Sequence, residues 1–104
     1  TIMKEEPFGP LVPILTFKTF DEVIERANDN DLGLCSYLYT NSMDKAHIGS
    51  EKLESGVVAV NTGVVALAEA PFGGIKQTGY GREGGSGAIK DYLNVKYTHM
   101  GLKI

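Results

Sequence analysis

The sequence predicts an α/β fold, and three observations carry that prediction. A capped amphipathic helix pattern opens at Thr19 and closes in the run Asn28-Asp29-Asn30-Asp31. An aromatic-rich strand pattern follows at Leu34–Thr40, and a continuous apolar run at Val57–Asn61 has the character of a strand inside a parallel sheet. With an early extended segment and a second helix between the later strands, the order becomes strand–helix–strand–helix–strand, the pattern of α/β layering. At 104 residues the chain makes one domain at most.

The elements follow in order. Pro7, Gly9, Pro10 and Pro13 break regular pairing, because proline lacks a backbone donor and holds its predecessor extended. Val12–Phe17 then reads as a short strand. Thr19-Phe20-Asp21-Glu22 fits a capping box, with Thr19 and Glu22 satisfying backbone donors reciprocally. Phe20, Val23, Ile24 and Ala27 recur at i, i+3, i+4 and i+7 and make one apolar helix face. Asn28 to Asp31 and Gly33 end that helix with residues that favour turns and left-handed geometry. After the Leu34–Thr40 strand, Asn41 or Ser42 caps a helix running to about Leu53, with Gly56 near its stop. Beyond Asn61 the sequence predicts a long loop, a helix near Gly84–Leu93 and a last strand at Asn94–Met100.

Composition excludes several functions. Ten Lys+Arg against thirteen Asp+Glu, a net charge of −3, lack the basic excess of a nucleic-acid binder. No apolar run approaches the roughly 20 residues of a membrane span, and the polar first six residues carry no secretory pattern. One cysteine forms no internal disulfide and no Cys-based zinc cluster, which fits a reducing, cytoplasmic setting. His47 and His99 lie far apart with no acidic residues at metal-ligand spacing, so no metal is expected. Ile14–Phe17, Val57–Val60 and Gly63–Leu67 are apolar enough to need cover on both faces. Removal of an initiator Met would explain the start at Thr1; the apolar segments favour a piece of a longer polypeptide.

Seven of the 13 glycines lie between Gly73 and Gly87. Gly79-Tyr80-Gly81-Arg82-Glu83-Gly84 matches G-x-G-x-x-G, but a phosphate-binding turn needs a strand just before it and a helix opening after it. Here Pro71–Thr78 precede it as a loop, so positive φ and close backbone approach explain these glycines better. Cys35 sits mid-strand, with no Lys, Arg or His within four positions to stabilise a thiolate. Its expected role is structural, with burial raising its pKa.

Four ordered motifs carry a resemblance. Glu5-Glu6-Pro7-Phe8-Gly9-Pro10, Asn28–Leu34, Val57–Asn61 and Pro71–Gly84 resemble, collinearly, segments of the aldehyde dehydrogenase superfamily. Leu32 stands where tyrosine is usual and Thr78 where serine is commoner. Asp91-Tyr92-Leu93 and Val95-Lys96-Tyr97 are most similar to succinate-semialdehyde dehydrogenases. The resemblance implies the C-terminal part of a three-layer αβα catalytic domain with a mostly parallel sheet at residues 1–93. It implies an oligomerisation strand and tail at 94–104, hence a homo-oligomeric intact enzyme.

The family oxidises aldehydes to acids through a cysteine thiolate, with NAD or NADP taking the hydride. By resemblance, Glu6 binds the nicotinamide-side ribose hydroxyls, where a carboxylate accepts two charge-assisted bonds. Phe8 packs near the nicotinamide, and Phe72 lines the aldehyde path. Gly73 and Gly74 let the backbone turn beneath it. Ala66, followed by Leu67, stands where succinate-semialdehyde dehydrogenases carry a carboxylate-binding serine, which leaves room for another aldehyde; ordinary loop packing accounts for the two residues equally well. The nucleophile, general base and dinucleotide domain lie upstream in the family, so the chain holds no catalytic residue and is expected to be inactive alone. The alternative is a stand-alone, non-catalytic binding or assembly module.

Overall fold

A computed structural model of the chain describes residues 4–103. Helix α1 spans Phe20–Asn28, and the short strand β1 spans Leu32–Gly33. Strand β2 (Cys35–Leu38), helix α2 (Met43–Lys52) and strand β3 (Val57–Val60) follow as a strand–helix–strand unit. A second short strand, β4 (Ile75–Lys76), and a 3-10 helix at Ala88–Tyr92 complete the elements.

The α1 cap forms as its sequence dictates. Thr19 Oγ1 accepts the Glu22 N–H at 3.2 Å. The returning Glu22 carboxylate reaches one residue further than the capping box requires and accepts the Lys18 N–H at 2.9 Å. Arg26 closes the same turn, donating to Glu22 at 3.1 Å and to the Thr16 carbonyl at 2.8 Å. The helix stops without left-handed residues, because none of Asn28 to Gly33 has a positive φ. Gly33 is needed for space instead: a Cβ there would lie 2.8 Å from the Glu54 carbonyl oxygen.

β2 and β3 pair in parallel, Cys35 opposite Val57 through Leu38 opposite Val60. Ser42 caps the intervening α2, accepting the Lys45 N–H at 3.3 Å. Beyond the ladder, Asn61 adopts φ 55° and its side-chain amide pairs with both the N–H and the carbonyl of Thr40, each at 2.9 Å. A side chain thus extends the pairing where the backbone has turned away. β1 and β4 form a separate antiparallel pair, Leu32 opposite Lys76 and Gly33 opposite Ile75.

Several expected elements differ. Val12–Phe17 and Asn94–Met100 are not strands, since a strand requires a ladder and no described segment pairs with either. The helix expected near Gly84–Leu93 contracts to five 3-10 residues, because Gly84 and Gly85 take φ of 69° and 66°, outside the helical region. The Leu34–Thr40 strand shortens to Cys35–Leu38.

The apolar core is small. Ile24 and Ala59, 8% and 5% exposed, are its only buried hydrophobic residues among those described. The accessible surface is 9147 Å², against about 5,700 Å² expected of a folded monomer of 11.2 kDa. Much of the excess is apolar: Ile14 is 84% exposed, Tyr97 83% and Val95 fully so.

Candidate functional site

Two neighbouring clefts collect most of the residues singled out in the sequence. The first, about 570 Å³, is lined by Glu6 and Phe8 on one side and by Gly33–Ser36 on the other. The loop that carries Glu6 and Phe8 is tightened by two short-range bonds, Gly9 N–H to the Pro7 carbonyl at 3.0 Å and Leu11 N–H to the Gly9 carbonyl at 2.8 Å. The Phe8 side chain is 94% exposed. An open carboxylate beside an uncovered aromatic face suits a polyhydroxylated ring system: the first accepts hydroxyl protons, the second offers a stacking plane.

The second cleft, about 550 Å³, is lined by Phe72–Gly74, Thr78–Gly84 and Tyr92, and shares Leu34 and Thr78 with the first. Thr78 is thereby the wall between them, and its hydroxyl accepts the Gly33 N–H at 2.8 Å. Phe72 exchanges two backbone bonds with Glu83, both 2.7 Å. The glycines divide into two groups. Gly79, Gly81, Gly84 and Gly85 have φ between 66° and 119°, conformations that L side chains rarely adopt. Gly73 and Gly74 do not turn the chain; they allow contact, since a Cβ at Gly73 would lie 2.5 Å from the Gly81 carbonyl oxygen. No α-helix opens on Gly84, which removes the phosphate-loop geometry from the G-x-G-x-x-G match.

Ala66 and Leu67 lie outside both clefts, exposed in the connection between β3 and β4. The Leu67 carbonyl accepts the Ala70 N–H at 3.2 Å and helps to shape that loop. Cys35 is half-buried rather than buried and lines the first cleft beside Glu6 and Phe8. Its thiol makes a long contact, 4.0 Å, with the Ser36 carbonyl. The interaction with Cys35 also holds the Tyr37 phenol above its ordinary pKa. No three His, Cys, Asp or Glu residues converge on a metal position among the described residues.

Two positions were not singled out by sequence reasoning. The Lys76 ammonium donates to the carbonyls of Asn28 and Asn30, each at 2.9 Å, and pairs with Glu54 at 2.6 Å. Arg82 Nη1 bridges the carbonyls of Gly74 and Gly81, both at 2.8 Å. The only local signal for either is a cation set among glycines, which says nothing of where its partners lie.

The aldehyde dehydrogenase family matches residues 1–98. The chain belongs to that family. A succinate-semialdehyde dehydrogenase [NADP(+)] of Escherichia coli K12 is 46% identical over 97% of this chain and 21% of its own length. A 3-sulfolactaldehyde dehydrogenase of Pseudomonas putida is 48% identical over 96% and 21%. The chain therefore spans about a fifth of the curated relatives it matches. The NAD+ complex of an aldehyde dehydrogenase from Bacillus cereus superposes with a TM-score of 0.88 at 47% identity, over 92% of this chain and 20% of that one. The α/β character expected from the sequence holds, as a small fragment of the aldehyde dehydrogenase architecture. No helix among the described residues is long and apolar enough to cross a membrane.

Proposed function

We propose that this chain is the C-terminal part of the catalytic domain of an NAD(P)-dependent aldehyde dehydrogenase that oxidises a semialdehyde, of the succinate-semialdehyde kind, to its acid. The observation that carries the reading is the collinear 46% identity over 97% of the chain to a relative named for that substrate. The uncovered apolar surface supports it, because the rest of a catalytic domain would bury what is exposed here. In that setting β2 and β3 belong to a mostly parallel sheet between helical layers, residues 1–93 are catalytic-domain sequence, and 94–104 pair with a second subunit. The enzyme would be a cytoplasmic homo-oligomer.

The first cleft fits the ribose–nicotinamide end of NAD or NADP: Glu6 would accept the ribose hydroxyls and Phe8 would cover the ring. Bound there, the dinucleotide supplies a hydride acceptor. Phe72 bounds the neighbouring aldehyde space; Ala66 and Leu67, exposed in the loop before it, would reach that space only in the intact enzyme. Those two apolar residues offer no hydroxyl to a substrate carboxylate, and the relative named for 3-sulfolactaldehyde shows a different anionic group among close homologues. The thiolate and base that attack and hydrolyse would come from sequence outside this chain, so the isolated chain would be inactive.

Two preparations test this. The full-length protein carrying this sequence should give aldehyde-dependent NADH or NADPH formation, and the purified 104-residue chain none. Turnover by the isolated chain, or its absence from the full-length protein, would falsify the reading. A full-length gene no longer than this chain would instead favour a binding or assembly module.

A further inference from the structure

We propose that Arg82 is a positioning residue that fixes the Phe72 wall of the aldehyde cleft and so sets how bulky an aldehyde the enzyme accepts. The inference rests on the assignment of that cleft given above. Phe72 lies at one edge of a two-stranded contact. Its own backbone is held by Glu83 through two 2.7 Å bonds. Two residues further on, the Gly74 carbonyl is held by Arg82 Nη1 at 2.8 Å, and the same nitrogen holds the Gly81 carbonyl at 2.8 Å. One guanidinium nitrogen therefore ties both edges of the cleft to each other.

Between the Phe72–Glu83 bridge and the start of β4 at Ile75, the glycines offer no side chain of their own to fix the wall. Gly73 and Gly74 have no side chains to pack, and Gly81, at φ 88°, takes a conformation that L side chains rarely adopt. The Arg82 stem fills the space that a Gly73 side chain would take, with its Cδ 2.8 Å from that virtual Cβ. Behind it, Asp91 accepts the Arg82 N–H at 3.3 Å and anchors this turn to the 3-10 helix. The bonds to Gly74 and Gly81 are charge-assisted, so Arg82 adds a side-chain restraint to the backbone bridge between Phe72 and Glu83. Removing it would let the Phe72 wall retreat and relax discrimination by size.

The test is the ratio of kcat/KM for succinate semialdehyde to that for the longer glutarate semialdehyde, measured on the full-length enzyme. A purely structural role would lower the active fraction and scale both substrates together, leaving the ratio unchanged. Positioning predicts that Arg82→Gln shifts the ratio by at least about threefold toward the bulkier aldehyde, with KM for the dinucleotide unchanged. Arg82→Lys keeps the charge but not the guanidinium geometry, and should recover the ratio only in part. Should Arg82→Gln not fold, Asp91→Ala carries the test, with a smaller shift in the same direction. An active wild type with unchanged ratios in the variants overturns the positioning role alone. An inactive wild type overturns the cleft assignment and this inference together.

Discussion

The Lys76 ammonium closes the C-terminal end of α1, donating to the Asn28 carbonyl at 2.9 Å across 48 positions of sequence. A cation at a helix C-terminus meets the unsatisfied carbonyls and the negative end of the dipole. Asn28 is itself a junction. Its side-chain Nδ2 donates to the Lys52 carbonyl at 2.8 Å and its Oδ1 accepts the Glu54 N–H at 2.9 Å, so it also closes α2. Both helices and β4 are thereby fastened at one point.

Asn28 should therefore be costly to replace. Asn28→Ala removes two solvent-exposed bonds, whose freed carbonyl and N–H water can partly satisfy, a loss of about 0.5–1.5 kcal/mol. Asn28→Asp keeps the acceptor but faces the Lys52 carbonyl with a carboxylate. The expected order of thermal midpoints, in the full-length enzyme at matched scan rate, is wild type, then Asp, then Ala. An Ala variant as stable as wild type would remove the junction from the account.

Lys76 makes a sharper prediction because two effects oppose each other there. Its φ of 56° is strained for any residue with a Cβ. Lys76→Ala loses all three ammonium contacts and keeps the strain. Lys76→Gly loses the same contacts and relieves it, and should be the more stable of the two by about 0.5–1 kcal/mol. At most helical or extended positions that order would be reversed. Urea midpoints of the two variants decide it.

What was legible in the sequence was local. Thr19, Phe20, Val23, Ile24 and Ala27 specify α1 within nine positions, and the helix forms where they place it. Val57–Val60 reads as a strand by its unbroken apolar character, and β3 pairs in parallel with β2, with Ala59 buried and its neighbours half-buried. Val12–Phe17 and Asn94–Met100 carry similar residue types, but a strand exists only with a partner, and pairing across sequence is not written in either segment. The glycine cluster was legible in kind and not in detail. Whether Gly73 is squeezed and Gly81 twisted depends on what lies opposite each, and the ties of Arg82 and Lys76 depend on the same distant contacts. Of the site residues, Glu6 and Phe8 come together because they are two positions apart. Phe72 joins the adjoining cleft only through Leu34 and Thr78.

The α1 cap should weaken in acid. The Lys18 N–H, more than the neighbouring Arg26, holds the Glu22 carboxyl below the usual glutamate range. A carboxylate with a lower pKa folded than unfolded holds fewer protons in the native state. Its contribution is complete above the unfolded value and is lost as pH falls through the folded one. Glu22→Gln should lower the thermal midpoint by a constant amount from about pH 8 to 5, and by progressively less below about pH 4. A difference that stays constant down to pH 3 would show that Glu22 acts through packing. The pair is solvent-exposed, so added salt should shrink the Arg26 part and leave the Lys18 bond.

The closest backbone approach behind the second cleft gives the last prediction. The Gly56 N–H donates to the Gly33 carbonyl at 3.0 Å as the chain enters β3, and the Gly73–Gly74 segment lies directly over it. A Cβ at Gly56 would overlap the Gly73 carbonyl oxygen and come within 2.9 Å of Gly74 Cα. Both obstacles are backbone, which cannot swing aside as a side-chain end can. Relief would have to come from moving β3 or the Phe72 segment, and overpacking of this kind costs about 1–3 kcal/mol or more. Gly87 is the control: it has φ −85° and open space around its virtual Cβ, so Gly87→Ala should stay within about 0.5 kcal/mol of wild type. Gly56→Ala should lower the thermal midpoint of the full-length enzyme or prevent its soluble expression. Equal midpoints for the two variants would mean that the Gly73 segment yields freely, and would loosen the link between β3 and the wall that carries Phe72.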